Sequence, residues 1–256
     1  MRRRWSQRAQ RLLLAALGLG MAACRPAPLP PPTPTPDPRL QIAIEALRRG
    51  EAAAAVRLLE GAREAHPGDP EVWSLLGAAY AALDRLEEAE SAYREALRRA
   101  PRHEGALLGL GVLADRRGRW EEAAAAFQAV LSANPRHARA WAGLGAAWLQ
   151  QGRIVEARQA FEAALRWQPD LAAAYVGRGN LRMLEGDFAG AEADLRRALA
   201  LQPDMPEALY GLGRLLAHQG KTAEARALLR RFLEARPPAP FATEAEALLR
   251  WLEGAP

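Results

Sequence analysis

The sequence predicts an all-α fold built as a stack of helix pairs, and three observations predict it. Proline recurs at positions 67, 101, 135, 169, 203 and 237, a step of thirty-four residues held without slippage. Glycines keep the same step. The composition is rich in Ala, Leu, Arg and Glu, with 50% hydrophobic residues but only 6% aromatics, a balance that favours helices and their close approach.

The chain opens with a different kind of segment. Residues 1–23 run from a basic stretch, Met1 to Arg11, into an apolar run, Leu12 to Ala23. That run is too short to span a bilayer, and its flanks are those of a secretory signal peptide. Met21-Ala22-Ala23-Cys24 resembles the lipobox of bacterial lipoproteins, although Leu is commoner than Met at its first position. The resemblance implies cleavage before Cys24, which then carries a lipid. Cys24 is the only cysteine, so an internal disulfide is excluded. Arg2-Arg3-Arg4-Trp5 is faintly similar to a twin-arginine export signal but lacks its downstream residues. Eight of the fourteen residues 25–38 are proline. With Cys24 they form a linker, 24–38, which at about 3.1 Å per residue is a spacer of roughly 40 Å. The five arginines before Cys24 account for the formal charge of +5, since no acid precedes it. A balanced mature chain has no field to draw in nucleic acid.

The repeats follow. An aromatic-x-x-Leu-Gly-x-x-aromatic run is complete at Trp73, Leu76, Gly77, Tyr80 and at Trp141, Leu144, Gly145, Trp148; Leu107, Leu110, Gly111 and Leu209, Leu212, Gly213 keep its register. The large residues share one helical face and fill the seam between paired helices. Gly77, Gly111, Gly145, Gly179 and Gly213 let the partner helix come close. Gly50, Gly118, Gly152, Gly186 and Gly220 end the first helix of a pair where a left-handed residue is wanted, and Asp84 stands in for glycine in the second repeat. Asp37-Pro38 and Asp69-Pro70 place a capping acid before a first-turn proline.

These marks resemble the tetratricopeptide repeat (TPR) family over residues 36–239, read as 36–69, 70–103, 104–137, 138–171, 172–205 and 206–239. The first repeat is degenerate, with Arg39 and Ala43 at the aromatic and glycine positions. The resemblance implies an all-α, right-handed solenoid of six TPR helix pairs. Residues 240–256 read as a capping helix and tail, with Leu248, Leu249 and Leu252 turned inward and Glu244, Glu246 and Arg250 outward.

In this family the first helix of each pair lines a concave groove that binds partner peptides or helices. Carried onto this sequence, one groove line runs Ser74, Leu108, Ala142, Val176, Tyr210 and the next Ala78, Val112, Ala146, Asn180, Arg214. Two readings stay open for the small residues: packing of adjacent helices, or a shallow apolar groove for a protein partner. Tyr210 and Arg214 are expected to face the groove as anchors without supporting the fold. The lysine–asparagine clamp some members use for a terminal carboxylate is absent. Arg178 and Arg182 break the seam pattern, and either pair with Glu162, Asp194 or Glu185 or offer a polar contact to an acidic partner.

No catalytic or metal-ligating constellation is readable. His66, His103 and His137 lie at turns between repeats and His218 ends a helix, none at metal-ligand spacing. No cofactor or small-molecule substrate is expected, and an enzymatic role would require this chain to be the non-catalytic subunit of an envelope complex. The expectation is a membrane-tethered interaction scaffold of the bacterial cell envelope, on the outer membrane where there are two, otherwise on the outer face of the cytoplasmic membrane. The alternatives are a secreted or periplasmic protein and, closest in layout, a pilotin-like assembly factor for a secretin.

Overall fold

The computed structural model describes residues 37–235, 237 and 239–254. The signal-peptide, Cys24 and linker readings up to residue 36 lie outside the described residues. The described residues form thirteen helices. Each repeat contributes two: α1 Pro38–Arg48 and α2 Ala52–Ala65; α3 Pro70–Ala82 and α4 Leu86–Arg99; α5 Glu104–Arg116 and α6 Trp120–Ala133; α7 Ala138–Gln150 and α8 Ile154–Trp167; α9 Ala172–Glu185 and α10 Phe188–Leu201; α11 Pro206–His218 and α12 Thr222–Glu234. α13, Ala239–Gly254, follows unpaired.

The turns inside the pairs are alike because one bond recurs. The residue after the left-handed position donates its N–H five residues back, as from Arg85 to the Tyr80 carbonyl at 2.9 Å and from Asp187 to that of Arg182 at 2.9 Å. Such a closure needs a positive φ, supplied by Gly50, Gly118, Gly152, Gly186 and Gly220, and by Asp84 at φ 60°. The starts of the first helices in repeats one to four are capped by side chains. Asp37 and Asp69 accept from the N–H of Arg39 and Glu71, each before a first-turn proline. His103 and His137 do the same work through Nδ1, accepting from Ala106 and Ala140 at 3.2 and 3.1 Å, a role their placement at turns does not announce. The opening aromatics tie back to the periodic proline: Trp73, Trp141 and Tyr175 donate to the carbonyls of Pro67, Pro135 and Pro169.

The core is a row of large residues from the second helices, each locked against glycines on both sides. A Cβ at Gly77 would fall 2.6 Å from the Tyr93 ring, one at Gly111 2.7 Å from Phe127 and one at Gly145 2.8 Å from Phe161. The next repeat presents a second glycine to the same residue: Gly109 to Tyr93, Gly143 to Phe127, Gly177 to Phe161 and Gly211 to Leu195. Sequence reasoning finds the first set and misses the second, although the second also repeats every thirty-four residues. Each such side chain, buried on both flanks, contributes about 1.5–3 kcal/mol.

α13 takes the position of a seventh first helix. Ala245, Leu249 and Leu252 are buried. Glu246 and Arg250, which stand thirty-four residues after the seam residues Leu212 and Leu216, are exposed. They put charged side chains at the two positions that form the apolar seam in repeat six.

Candidate functional site

The first helices α3, α5, α7, α9 and α11 carry both predicted groove lines, and the structure separates the two. Ser74, Ala142 and Val176 are buried, with Leu108 and Tyr210 half-buried. A Cβ at Gly105 would lie 2.8 Å from the Ser74 hydroxyl, which sets Ser74 against the neighbouring first helix. The burial of Ser74, Ala142 and Val176 favours the packing reading for these three. The second line is open: Ala78, Ala146 and Asn180 are partly exposed, while Val112 and Arg214 are exposed.

A concave cavity of about 1150 Å³ lies along repeats four to six. Leu149, Met183, Leu184 and Phe188 line it from repeats four and five, and Tyr210, Phe232 and Phe241 from repeat six and the cap. Asn180 and Arg214 also line it. Leu184, Phe188 and Phe241 are 69%, 52% and 50% exposed, an apolar concentration larger than scattered surface residues give. Sequence reasoning misses these three. The available signal is positional: Leu184 stands where the neighbouring repeats have Gln150 and His218.

Tyr210 departs from the expectation of a free anchor. Its hydroxyl donates to Glu244 of α13. Its ring lies 5.0 Å from that of Phe232 and 6.0 Å, edge-on, from that of Phe241. Tyr210 thus lines the cavity and holds the cap at once. Burial, then the bond to Glu244, raises its phenol pKa. Arg214 stacks over the Tyr210 ring at 5.3 Å and has no carboxylate within ion-pair distance among the described residues.

Arg178 and Arg182 are committed inside the fold. Arg178 grips the buried Asp194 carboxylate with two bonds, 2.8 and 2.7 Å, and Arg182 adds a third at 2.8 Å while also donating to the Gly190 carbonyl. The bond to Asp194 raises the Arg178 pKa further. Of the three acids expected as partners, only Asp194 makes the contact; Glu185 pairs with Arg158.

Among the described residues no group of three or more His, Cys, Asp or Glu side chains is arranged to hold a metal ion. Among them, too, no helix is long and apolar enough to cross a membrane.

A stack of helix pairs with an open concave face defines a helical-repeat protein–protein interaction module. The chain belongs to the tetratricopeptide repeat family, which matches it over residues 40–104, 108–174 and 176–240. Among curated proteins no sequence matches it. Solved structures similar to it include TTC0263, a thermophilic tetratricopeptide protein of Thermus thermophilus, at 26% identity and a TM-score of 0.63, covering 70% of this chain and 98% of that one. PilF of Pseudomonas aeruginosa is similar at 20% identity and a TM-score of 0.62, covering 82% of this chain and 95% of that one. PilW, a type IV pilus biogenesis factor, is similar at 20% identity and a TM-score of 0.64, covering 80% of this chain and 96% of that one. At 20% identity these last two likenesses speak for the fold alone.

Proposed function

We propose that this protein is a lipid-anchored assembly factor of the bacterial cell envelope, pilotin-like in layout, whose groove holds a protein partner while a larger complex is built. The observation that carries the reading is the apolar cavity of repeats four to six, with Leu184, Phe188 and Phe241 exposed around it. Exposed apolar area of this kind is kept where a partner covers it. Two further points support the reading. Cys24 ends a basic-then-apolar segment and precedes a proline-rich stretch. PilF and PilW share the fold over nearly their whole length, and PilW is described as a pilus biogenesis factor.

Cys24, freed at its amine and carrying two or three acyl chains, would hold the domain at a membrane far better than one chain does. The anchor and the partner are tested together in native membranes. A photo-crosslinking residue at position 184 should capture a discrete envelope protein. Cys24→Ala should release the chain from the membrane fraction. Retention of the Cys24→Ala chain on the membrane overturns the anchor, and a position-184 probe that captures nothing while one on the convex face does overturns the groove.

A further inference from the structure

Two lines of first-helix positions, 78 to 214 and 81 to 217 in steps of thirty-four, follow the channel and hold ten residues, of which the last, Ala217, is buried. Two of the ten are charged, and they have opposite signs: Asp115 on α5 and Arg214 on α11. Between them on the two lines lie Ala146, Leu149, Asn180 and Met183, the last three lining the cavity. Neither charge has an ion-pair partner among the described residues. Among the described residues Asp115 has no cation in ion-pair range, its neighbour Arg116 being turned to Asp84 at 2.8 Å. Arg214 has only the Tyr210 ring beneath it. Glu207 also lines the cavity, but it sits two helical turns before Arg214, in the first turn of α11, and so belongs to the rim.

We propose that the channel takes one amphipathic helix of a partner protein, laid with a basic side chain over Asp115, its apolar face in the cavity and an acidic side chain at Arg214. The inference rests on the groove being the binding surface and adds the chemistry of what lies in it. Three first-helix spacings separate α5 from α11, about 25–30 Å at the usual 8–10 Å between packed helices. A helix covers that span in about 17–20 residues, which fixes the separation of the two partner charges. A helix is chosen over an extended segment because the channel offers no backbone edge. Its walls are helices whose amides are already bonded, so an extended peptide would bury its own N–H and C=O groups unpaired, while a helix satisfies them internally. Burial already raises the Asp115 carboxyl above the ordinary carboxylate range, and an arriving cation would relieve that penalty.

The test uses the full chain in detergent and three synthetic amphipathic helices of about 24 residues. All carry a photo-crosslinker on a common Leu/Ala face. Their two charged positions, about eighteen residues apart, are Lys and Glu, Glu and Glu, or Lys and Lys. The concentration giving half-maximal crosslinking should be roughly fivefold lower for the Lys–Glu peptide than for either like-charged one. In Asp115→Lys the Glu–Glu peptide should overtake it, and in Arg214→Glu the Lys–Lys peptide should. Equal concentrations for all three peptides on the native chain, or an order that the variants do not reverse, overturns the charge register. Leu184→Asp separates the two levels. If it abolishes crosslinking of every peptide while charge has no effect, the groove stands and the register falls. If it leaves every peptide unaffected, the groove reading itself fails.

Discussion

Repeat four closes its seam with Leu144, Trp148, Ala160 and Phe161, whereas repeat five, thirty-four residues on, has Arg178, Arg182, Asp194 and Leu195 at the same positions. In repeat four Leu144, Ala160 and Phe161 are 2%, 0% and 1% exposed. In repeat five Asp194 is 4% exposed and lies between two guanidinium groups. The backbone does not register the change. The helix pair still turns through a left-handed glycine, and the closing bond is 2.9 Å from Arg153 to Trp148 and 2.9 Å from Asp187 to Arg182. The pairing geometry is therefore set by the turn and by the glycine pockets, not by whether the seam is greasy or ionic. An ionic seam is tolerated because its members change together. The Asp194 carboxylate bonds both arginines, Arg182 also reaches Asp187 at 3.6 Å, and each arginine keeps an edge in water, with 22% and 30% of its side chain exposed.

The largest effect expected from this comparison is on the apolar side. Phe161→Ala removes the one ring that fills the space against both Gly145 and Gly177. It should cost about 3–5 kcal/mol, read as a shift in urea unfolding, with faster hydrogen exchange concentrated in repeats four and five. A cost below about 1 kcal/mol would mean that the glycine pockets do not fix the stack. Next is the ionic side. Asp194→Ala strands Arg178, leaves Arg182 only its 3.6 Å pair with Asp187 and its bond to the Gly190 carbonyl, and should cost about 2–3 kcal/mol, less than the roughly 3–5 of a fully buried pair because both guanidiniums can swing to water. Exchange should quicken in α9 and α10 first. The third change replaces the whole triad at once. Arg178→Leu with Arg182→Trp and Asp194→Ala copies repeat four into repeat five and should be neutral or stabilising by about 1–2 kcal/mol. A triple variant less stable than Asp194→Ala alone would show that the two seams are not interchangeable.

What was legible in the sequence follows the same division. The all-α stack, the left-handed turns and the first set of packing glycines could be read because each recurs every thirty-four residues. Arg178 and Arg182 were legible as exceptions to that rule. Which acid meets them was not, because Glu162, Glu185 and Asp194 are all plausible by spacing and only the packing of α10 on α9 turns Asp194 inward. The candidate site was half legible. The repeat placed two lines on the first helices but could not say which faces a neighbouring helix. That depends on how closely Gly105 approaches Ser74, a matter of small side chains in three dimensions. The exposed large apolar residues of the cavity are not legible, because Leu184 has polar counterparts in Gln150 and His218, Phe241 stands where repeat six has Glu207, and the recurring apolar position of Phe188, Ile154 and Trp120 does not say that it borders a cavity. Tyr210 is not a free anchor because α13 continues the thirty-four-residue register and sets Glu244, one full step on, against its hydroxyl.

The smallest predicted effect sharpens the comparison by supplying a carboxylate with no partner at all. Asp194 is buried between two cations, whereas Asp115, half-buried at the end of α5, has none in reach among the described residues. Burial alone raises the Asp115 carboxyl. The folded chain therefore holds that proton more tightly than the unfolded chain does. Below the unfolded carboxyl pKa both states are protonated and no penalty exists. As pH rises through the raised folded pKa the penalty develops in full, so this group lowers stability at neutral pH. Asp115→Asn should then stabilise the chain by about 0.5–1 kcal/mol at pH 7, and the gain should fade as the measurement is repeated at lower pH. Asp194→Asn at pH 7 should do the opposite, because there the charge is wanted. If Asp115→Asn is destabilising at pH 7, the carboxylate is being used by the fold and cannot be a charge held in reserve for a partner's cation. If it stabilises the chain and also weakens capture of a basic helix, the same side chain costs the fold and serves the groove, the trade expected where a binding surface is kept at the expense of stability.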